Sequence, residues 1–228
     1  MSDLELLGRL APGPERGGRV YGVVVGVVTN NRDPDGLGRV KLKFPWLSDE
    51  DESRWARVVT PMAGPERGLY FLPEVDDEVL VVFEHGLVDH PFVLGALWNG
   101  RDKPPARDDD NNLRLIKSRS GHTITLDDED GKGKIAIVDR TGNNRVVIDS
   151  ADNTVTVTSD GDLTLKARGA IALEADGDVT IKGRSLAAEA RQSFELKAAQ
   201  GGTIEAQSGL SIDCLAGVNV NKGALEVT

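Results

Sequence analysis

The stretch Gly161-Asp-Leu-Thr-Leu-Lys-Ala-Arg-Gly169-Ala-Ile-Ala-Leu-Glu-Ala-Asp-Gly177 repeats itself every eight residues: a glycine, then apolar side chains at alternate positions. Extending that register both ways places a small or turn-forming residue at Asn153, Gly161, Gly169, Gly177, Ser185, Ser193, Gly201, Gly209 and Gly217. Self-similarity at a fixed period marks a repeat architecture. A glycine in each repeat lets the chain turn a corner at positive φ without a Cβ clash. Between corners the apolar residues alternate, as they do in a strand with one buried face. Val155, Val157, Leu163, Leu165, Ile171, Leu173, Val179 and Ile181 all carry odd numbers. Leu186, Phe194, Leu196, Ile204, Leu210, Ile212, Cys214, Val218 and Val220 all carry even ones. These residues are the expected core of a needle, and Cys214 is expected to point inward as a small apolar filler. A one-residue shift turns every side chain over. The chain is therefore expected to absorb an extra residue near Arg184 and Ser185, for example as a bulge.

An eight-residue unit holds one short strand and a corner, and its single apolar face cannot be covered by the same unit. A single-chain β-helix would cover it, and so would several chains wound round one axis; both also pair the open strand edges. Single-chain solenoids use longer coils with several strands per turn. Three chains, each supplying one side of a triangular prism, suit the shorter unit.

Upstream, residues 113–117, 122–126, 134–138, 145–148 and 154–157 read as strands. They are broken by Ser120-Gly121, Asp130-Gly131, Thr141-Gly-Asn-Asn144 and Asp152-Asn153, all turn formers. Residues 100–112 carry Pro104-Pro105 and Asp108-Asp-Asp110 and no large apolar side chain, the mark of a linker. Residues 21–29, 39–44, 55–60, 78–84 and 92–98 give five further strand signals with no long helical pattern between them. Five is the strand count of the oligomer-binding (OB) barrel. The chain thus reads as all-β: an arm at 1–19, a barrel at 20–99, a linker at 100–112, a β neck at 113–152 and the repeat at 153–228.

Composition narrows the function. The 228 residues carry a net charge of −10, which disfavours binding to a phosphate backbone. In the barrel, Asp49-Glu-Asp-Glu52 and Asp76-Asp-Glu78 outweigh Arg39, Lys41 and Lys43, so a nucleic-acid-binding OB fold is the weaker alternative. A cell-wall-degrading enzyme is weaker too, because no carboxylate pair sits in a pattern of opposed acid and base and no nucleophile elbow appears. The single cysteine permits no intrachain disulfide, and His85, His90 and His122 lack metal-ligand spacing. No catalytic, cofactor or metal residues are expected. No apolar run reaches the roughly 20 residues of a membrane-spanning helix. The N-terminus has no signal-peptide pattern, so assembly in the cytoplasm is expected.

Several motifs, in order, carry a resemblance. They are Val28-Thr-Asn-Asn-Arg-Asp-Pro-Asp-Gly-Leu-Gly-Arg-Val-Lys-Leu-Lys-Phe-Pro-Trp46, Glu52-Ser-Arg-Trp-Ala-Arg-Val-Val-Thr-Pro61, Ala63-Gly-Pro-Glu-Arg-Gly68, Phe71-Leu-Pro-Glu-Val-Asp-Asp-Glu-Val-Leu-Val-Val-Phe83 and His90-Pro-Phe-Val-Leu-Gly-Ala-Leu-Trp-Asn99. This series resembles the barrel of the VgrG and phage baseplate protein V families. Ser120-Gly-His-Thr-Ile-Thr-Leu-Asp-Asp128, with Gly142-Asn143, resembles their neck. The resemblance implies a homotrimeric central spike of a phage tail, an extracellular injection particle or a type VI secretion system. It implies a barrel seated on a hub, an intertwined trimeric β-helical needle, a separate PAAR-type tip protein and transient contact with the target membrane. Such a protein resides in the baseplate of a virion or injection particle.

Three departures qualify the resemblance. Only about 20 residues precede the barrel, so the hub is expected to be a separate polypeptide. No lysozyme-like insertion and no His-x-His pair of an iron-bearing tip are present. The inward parity also flips near the end, where Leu225 and Val227 are odd and Lys222 falls in the inward column. The regular prism is expected to stop there, after a length of roughly 40–50 Å at one strand spacing per repeat. Gly223, Ala224, Leu225, Glu226, Val227 and Thr228 would then form a last layer whose open sheet edges dock the tip protein.

Overall fold

Alternation along Glu78–Phe83 shows how the first sheet is built. Val79, Val81 and Phe83 point inward and are buried, whereas Glu78, Leu80 and Val82 point outward and stay partly exposed. The structure is a computed structural model that describes residues 18–48, 51–106 and 108–218. It divides into two units, Met1–Thr164 and Leu165–Thr228.

The described residues of the first unit hold twelve strands: β1 (Val24–Asn30), β2 (Lys41–Lys43), β3 (Arg57–Val58), β4 (Ala63–Gly64), β5 (Arg67–Gly68), β6 (Glu78–Phe83), β7 (Pro91–Ala96), β8 (Leu113–Lys117), β9 (Thr123–Asp127), β10 (Lys134–Val138), β11 (Arg145–Asp149) and β12 (Thr154–Thr158). Five of them form a sheet in the order β2-β1-β6-β7-β3, antiparallel throughout except for the parallel pair β3–β7. Its two edges meet where Val40 and Ala56 exchange backbone hydrogen bonds of 3.0 and 2.7 Å. That bridge joins the two edges of a curled, barrel-like sheet and leaves fewer of their backbone groups open. The core inside is Val28, Val40, Leu42, Phe44, Ala56, Val79, Val81, Phe83 and Val93. Each buried Val, Leu or Phe among them stabilises the barrel by about 1.5–3 kcal/mol at most. Phe44 stacks edge-on to Phe83 at 5.5 Å and lies across Gly26, where an added Cβ would sit 3.0 Å from its ring. The strands of the second and third signals are shorter than the sequence suggests. Arg39 leaves the strand because Asp33 accepts from both its backbone N–H and its guanidinium.

The remaining long strands, β8 to β12, form a five-stranded antiparallel meander in sequence order. Its hairpin β11–β12 spans the boundary expected at 152/153, with Asn153 in the turn at φ 52°. The linker is held at both ends. Asn99 Oδ1 accepts from the N–H groups of Arg101 and Asp102, and Asp108 Oδ2 accepts from the N–H of Leu113 at 2.7 Å.

Among the described residues no strand follows β12. The chain instead bends at residues 160–161, 168–169, 176–177, 184, 191–192, 199–200, 207–208 and 215–216. The eight-residue beat is therefore present in the backbone. Between 177 and 191 the bend pair steps back by one residue against that beat. The parity change near Arg184 and Ser185 is thus a repeat one residue short, a correction to the extra residue expected there. Dropping a residue reverses the faces as surely as adding one does.

Candidate assembly surface

The registers of the meander align its aliphatic side chains into two rungs. Ile116, Ile124, Ile137, Val146 and Val157 lie directly opposite one another across the five strands. Leu126, Ile135, Ile148 and Val155 form the second rung, which Arg114 ends at the β8 edge. Residues directly opposite on antiparallel strands project to the same face. One face therefore carries nine aliphatic side chains, and the other alternates them with Thr, Lys, Asp and Arg. All nine are exposed in the single chain, from 38% for Val146 to 70% for Val155. Leu163, from the first repeat, lines the same open depression as Ile116, Ile124, Ile137, Val146 and Val157. An apolar area of this extent marks an interaction surface.

The repeat is more exposed still. Every described residue from 160 to 218 is exposed, including Leu165, Ile171, Leu173, Val179, Ile181, Leu186, Phe194, Leu196, Ile204, Leu210, Ile212 and Val218. Of the residues assigned to the needle core, the structure brings Val155, Val157 and Leu163 to the rung face. The other described ones stand along the bent chain without cover. Cys214 is exposed, its Sγ 3.2 Å from the carbonyl oxygen of Gly217. Gly161, Gly169 and Gly177 lie within bends, whereas Gly201, Gly209 and Gly217 directly follow them; Gly209 and Gly217 have positive φ. Val220 and the docking segment Gly223–Thr228 lie outside the described residues, as does most of the arm.

Two carboxylates organise loops of the first unit, Asp33 between β1 and β2 and Asp139 between β10 and β11, and neither stood out in the sequence. Asp33 accepts from the guanidinium of Arg39 at 2.7 and 2.8 Å and from the backbone N–H groups of Asp35, Leu37 and Arg39. Arg39, foremost, holds the Asp33 carboxyl well below the usual carboxylate range, and the backbone donors add to this. Asp33 and then Asp35 raise Arg39 in turn. Asp139 accepts from the Thr141 hydroxyl and from both the side chain and the backbone N–H of Asn144. The Thr141 hydroxyl, then Asn144, lower its pKa to about 2. The available signal was a carboxylate followed within a few residues by its donor, a spacing too common to single out.

Arg39 and Lys41 lie over the Trp55 ring at 5.8 and 5.7 Å, but Asp33, Asp35 and Glu52 already pair with these cations. Stacking platforms on single strands need cations that are available to phosphates. Of the aromatics in this region, Phe83 is buried, whereas Phe71 and Trp98 are exposed. Among the described residues no group of three His, Cys, Asp or Glu side chains could hold a metal ion.

The comparisons with known proteins agree with this architecture. Residues 24–98 match the type VI secretion system/phage-baseplate injector OB domain. The type VI secretion system spike protein VgrG2a of Pseudomonas aeruginosa is 34% identical over 113 residues, 47% of this chain and 13% of that protein. The spike protein VgrG3 of Vibrio cholerae is 27% identical over 139 residues, 59% of this chain and 13% of that protein. The actin cross-linking toxin VgrG1 of Vibrio cholerae is 28% identical over 134 residues, 54% of this chain and 12% of that protein. The chain therefore matches only a small part of the length of these curated relatives. Residues 24–98, a curled sheet with an apolar core, match the injector OB domain of type VI secretion systems and phage baseplates, and the chain is similar to VgrG spike proteins over about half of its length.

Proposed function

We propose that this chain is the structural central spike of a contractile injection machine and works as a homotrimer. The observation that carries this is the exposed two-rung face of the meander, together with the exposure of every described residue from 160 to 218. Three copies arranged about one axis would bury the rungs of each meander against the other two. The repeat segments from residue 153 onward would then wind into a triangular β-helix, each supplying the neighbours that another lacks. Extended backbone with unpaired N–H and C=O groups finds its partners most readily in such an arrangement. The spike relatives support the same architecture.

In this proposal the barrel seats on a separate hub protein. The C-terminal segment Gly223–Thr228 carries a PAAR-type tip protein, and the needle makes transient contact with the target membrane. The role is mechanical and needs no catalytic group or cofactor. The protein assembles in the cytoplasm and resides in the baseplate of a phage tail, an extracellular particle or a type VI-like system. Sedimentation equilibrium of the full chain tests the assembly. Three chains per particle are expected, and a mass of one chain with full β-structure by circular dichroism would refute it.

A further inference from the structure

The loop between β10 and β11 does more than close a hairpin. Its Asn144 carboxamide reaches across to the residues that leave β12. Asn144 Oδ1 accepts from the backbone N–H of Asp160 at 3.0 Å and lies 3.4 Å from the Ser159 hydroxyl. Asn144 Nδ2 donates to Asp139 Oδ2 at 3.0 Å, so the amide is held from behind while it grips the exit strand. Beside it, Asn143 Nδ2 donates to Asp160 Oδ2 at 3.3 Å. Residues 160–161 form the first bend of the eight-residue series, and Leu163 after it faces the rung depression.

We propose that Asn144, backed by Asp139 and assisted by Asn143, is a positioning residue that clamps Ser159 and Asp160 and so sets the direction in which the chain leaves the meander for the repeat. A carboxamide suits this task because it presents an acceptor and a donor at once. An aspartate would offer no donor to the Asp139 carboxylate, and an alanine would offer neither group. Without the clamp, the two bonds on the Asp160 side are lost while the ladder from β8 to β11 keeps all of its own. The clamp lies within one chain, so it does not depend on the trimer proposed above. If that proposal holds, the same contact fixes the angle at which each chain enters the shared needle.

The test is hydrogen exchange on the full-length Asn144→Ala and Asn143→Ala variants, read by peptide. For Asn144→Ala, exchange in the segment 159–165 is expected to rise about tenfold, the size of one lost hydrogen bond, with β8–β10 unchanged. Asn143→Ala should give a smaller rise in the same segment. Unchanged exchange at 159–165 would overturn the clamp. A uniform rise through the whole meander would also overturn it, in favour of a general contribution to sheet stability. Should Asn144→Ala fail to fold, Asn143→Ala decides by the same two criteria. Sedimentation of the same samples reports the assembly separately, so failure of the clamp and failure of the trimer are told apart.

Discussion

Val157 and Thr156 are neighbours on β12 that point to opposite faces, and both are exposed in the single chain. Val157→Asp and Thr156→Asp therefore add the same charge to the same strand, differing only in which face receives it. In an isolated chain each should shift stability by no more than about 0.5 kcal/mol, as surface substitutions do. In a trimer closed over the rungs, they differ sharply. Val157 is 55% exposed, so assembly would bury about half of a side chain worth roughly 1.5–3 kcal/mol, or about 1–1.5 kcal/mol per copy. Three copies lose about 3–4 kcal/mol, which raises the dissociation constant by roughly two to three orders of magnitude. Desolvating each unpaired carboxylate adds several kcal/mol more. The assay is sedimentation equilibrium of both variants at one concentration, with circular dichroism to confirm the sheet. Val157→Asp should sediment as single chains and Thr156→Asp as trimers. Equal behaviour of the two would refute the assignment of the rung face as the assembly surface.

Other substitutions probe single features. Gly68→Ala should destabilise the barrel by about 1–3 kcal/mol, because φ is 154° there and a Cβ would lie 2.6 Å from the Met62 carbonyl oxygen; a thermal melt measures it. Asp139 has its folded pKa lowered from 3.8 to about 2, so its contribution is fully present above the unfolded value and is lost as pH falls through the folded one. An acid titration of the melting temperature should show a fall between about pH 4 and 2 that is smaller in Asp139→Asn. Removing residues 223–228 should leave a folded assembly that no longer captures its cognate tip protein in a pull-down; continued capture would place the docking site elsewhere.

Much of the architecture is local and so could be read along the chain. The alternation of Val79, Val81 and Phe83 with Glu78, Leu80 and Val82 announces a half-buried strand whatever its partner. The glycine beat from Gly161 to Gly217 needs no partner either, and the bends of the backbone keep an eight-residue spacing except for the one-residue step between 177 and 191. The change of parity near Ser185 was visible in the residue numbers, but its sense was not. One residue too many and one too few reverse the faces alike, and only the positions of the bends distinguish them. The carboxylate clamps at Asp33 and Asp139 were not legible, because a loop aspartate followed by a donor describes many solvated turns as well.

The sequence by itself thus determined an all-β chain, with five barrel strands, five meander strands and an eight-residue repeat with one apolar face. Tertiary structure alone decided the order β2-β1-β6-β7-β3, the parallel pairing of β3 with β7 and the bridge from Val40 to Ala56 that joins the edges of the curled sheet. It also decided that Ile116, Ile124, Ile137, Val146 and Val157 stand in one line. The physical reason is that periodicity is set by each strand's own pleat, whereas register is set between strands. Residue numbers along one strand tell which side chains share a face, but only hydrogen bonds to the next strand tell which of them meet.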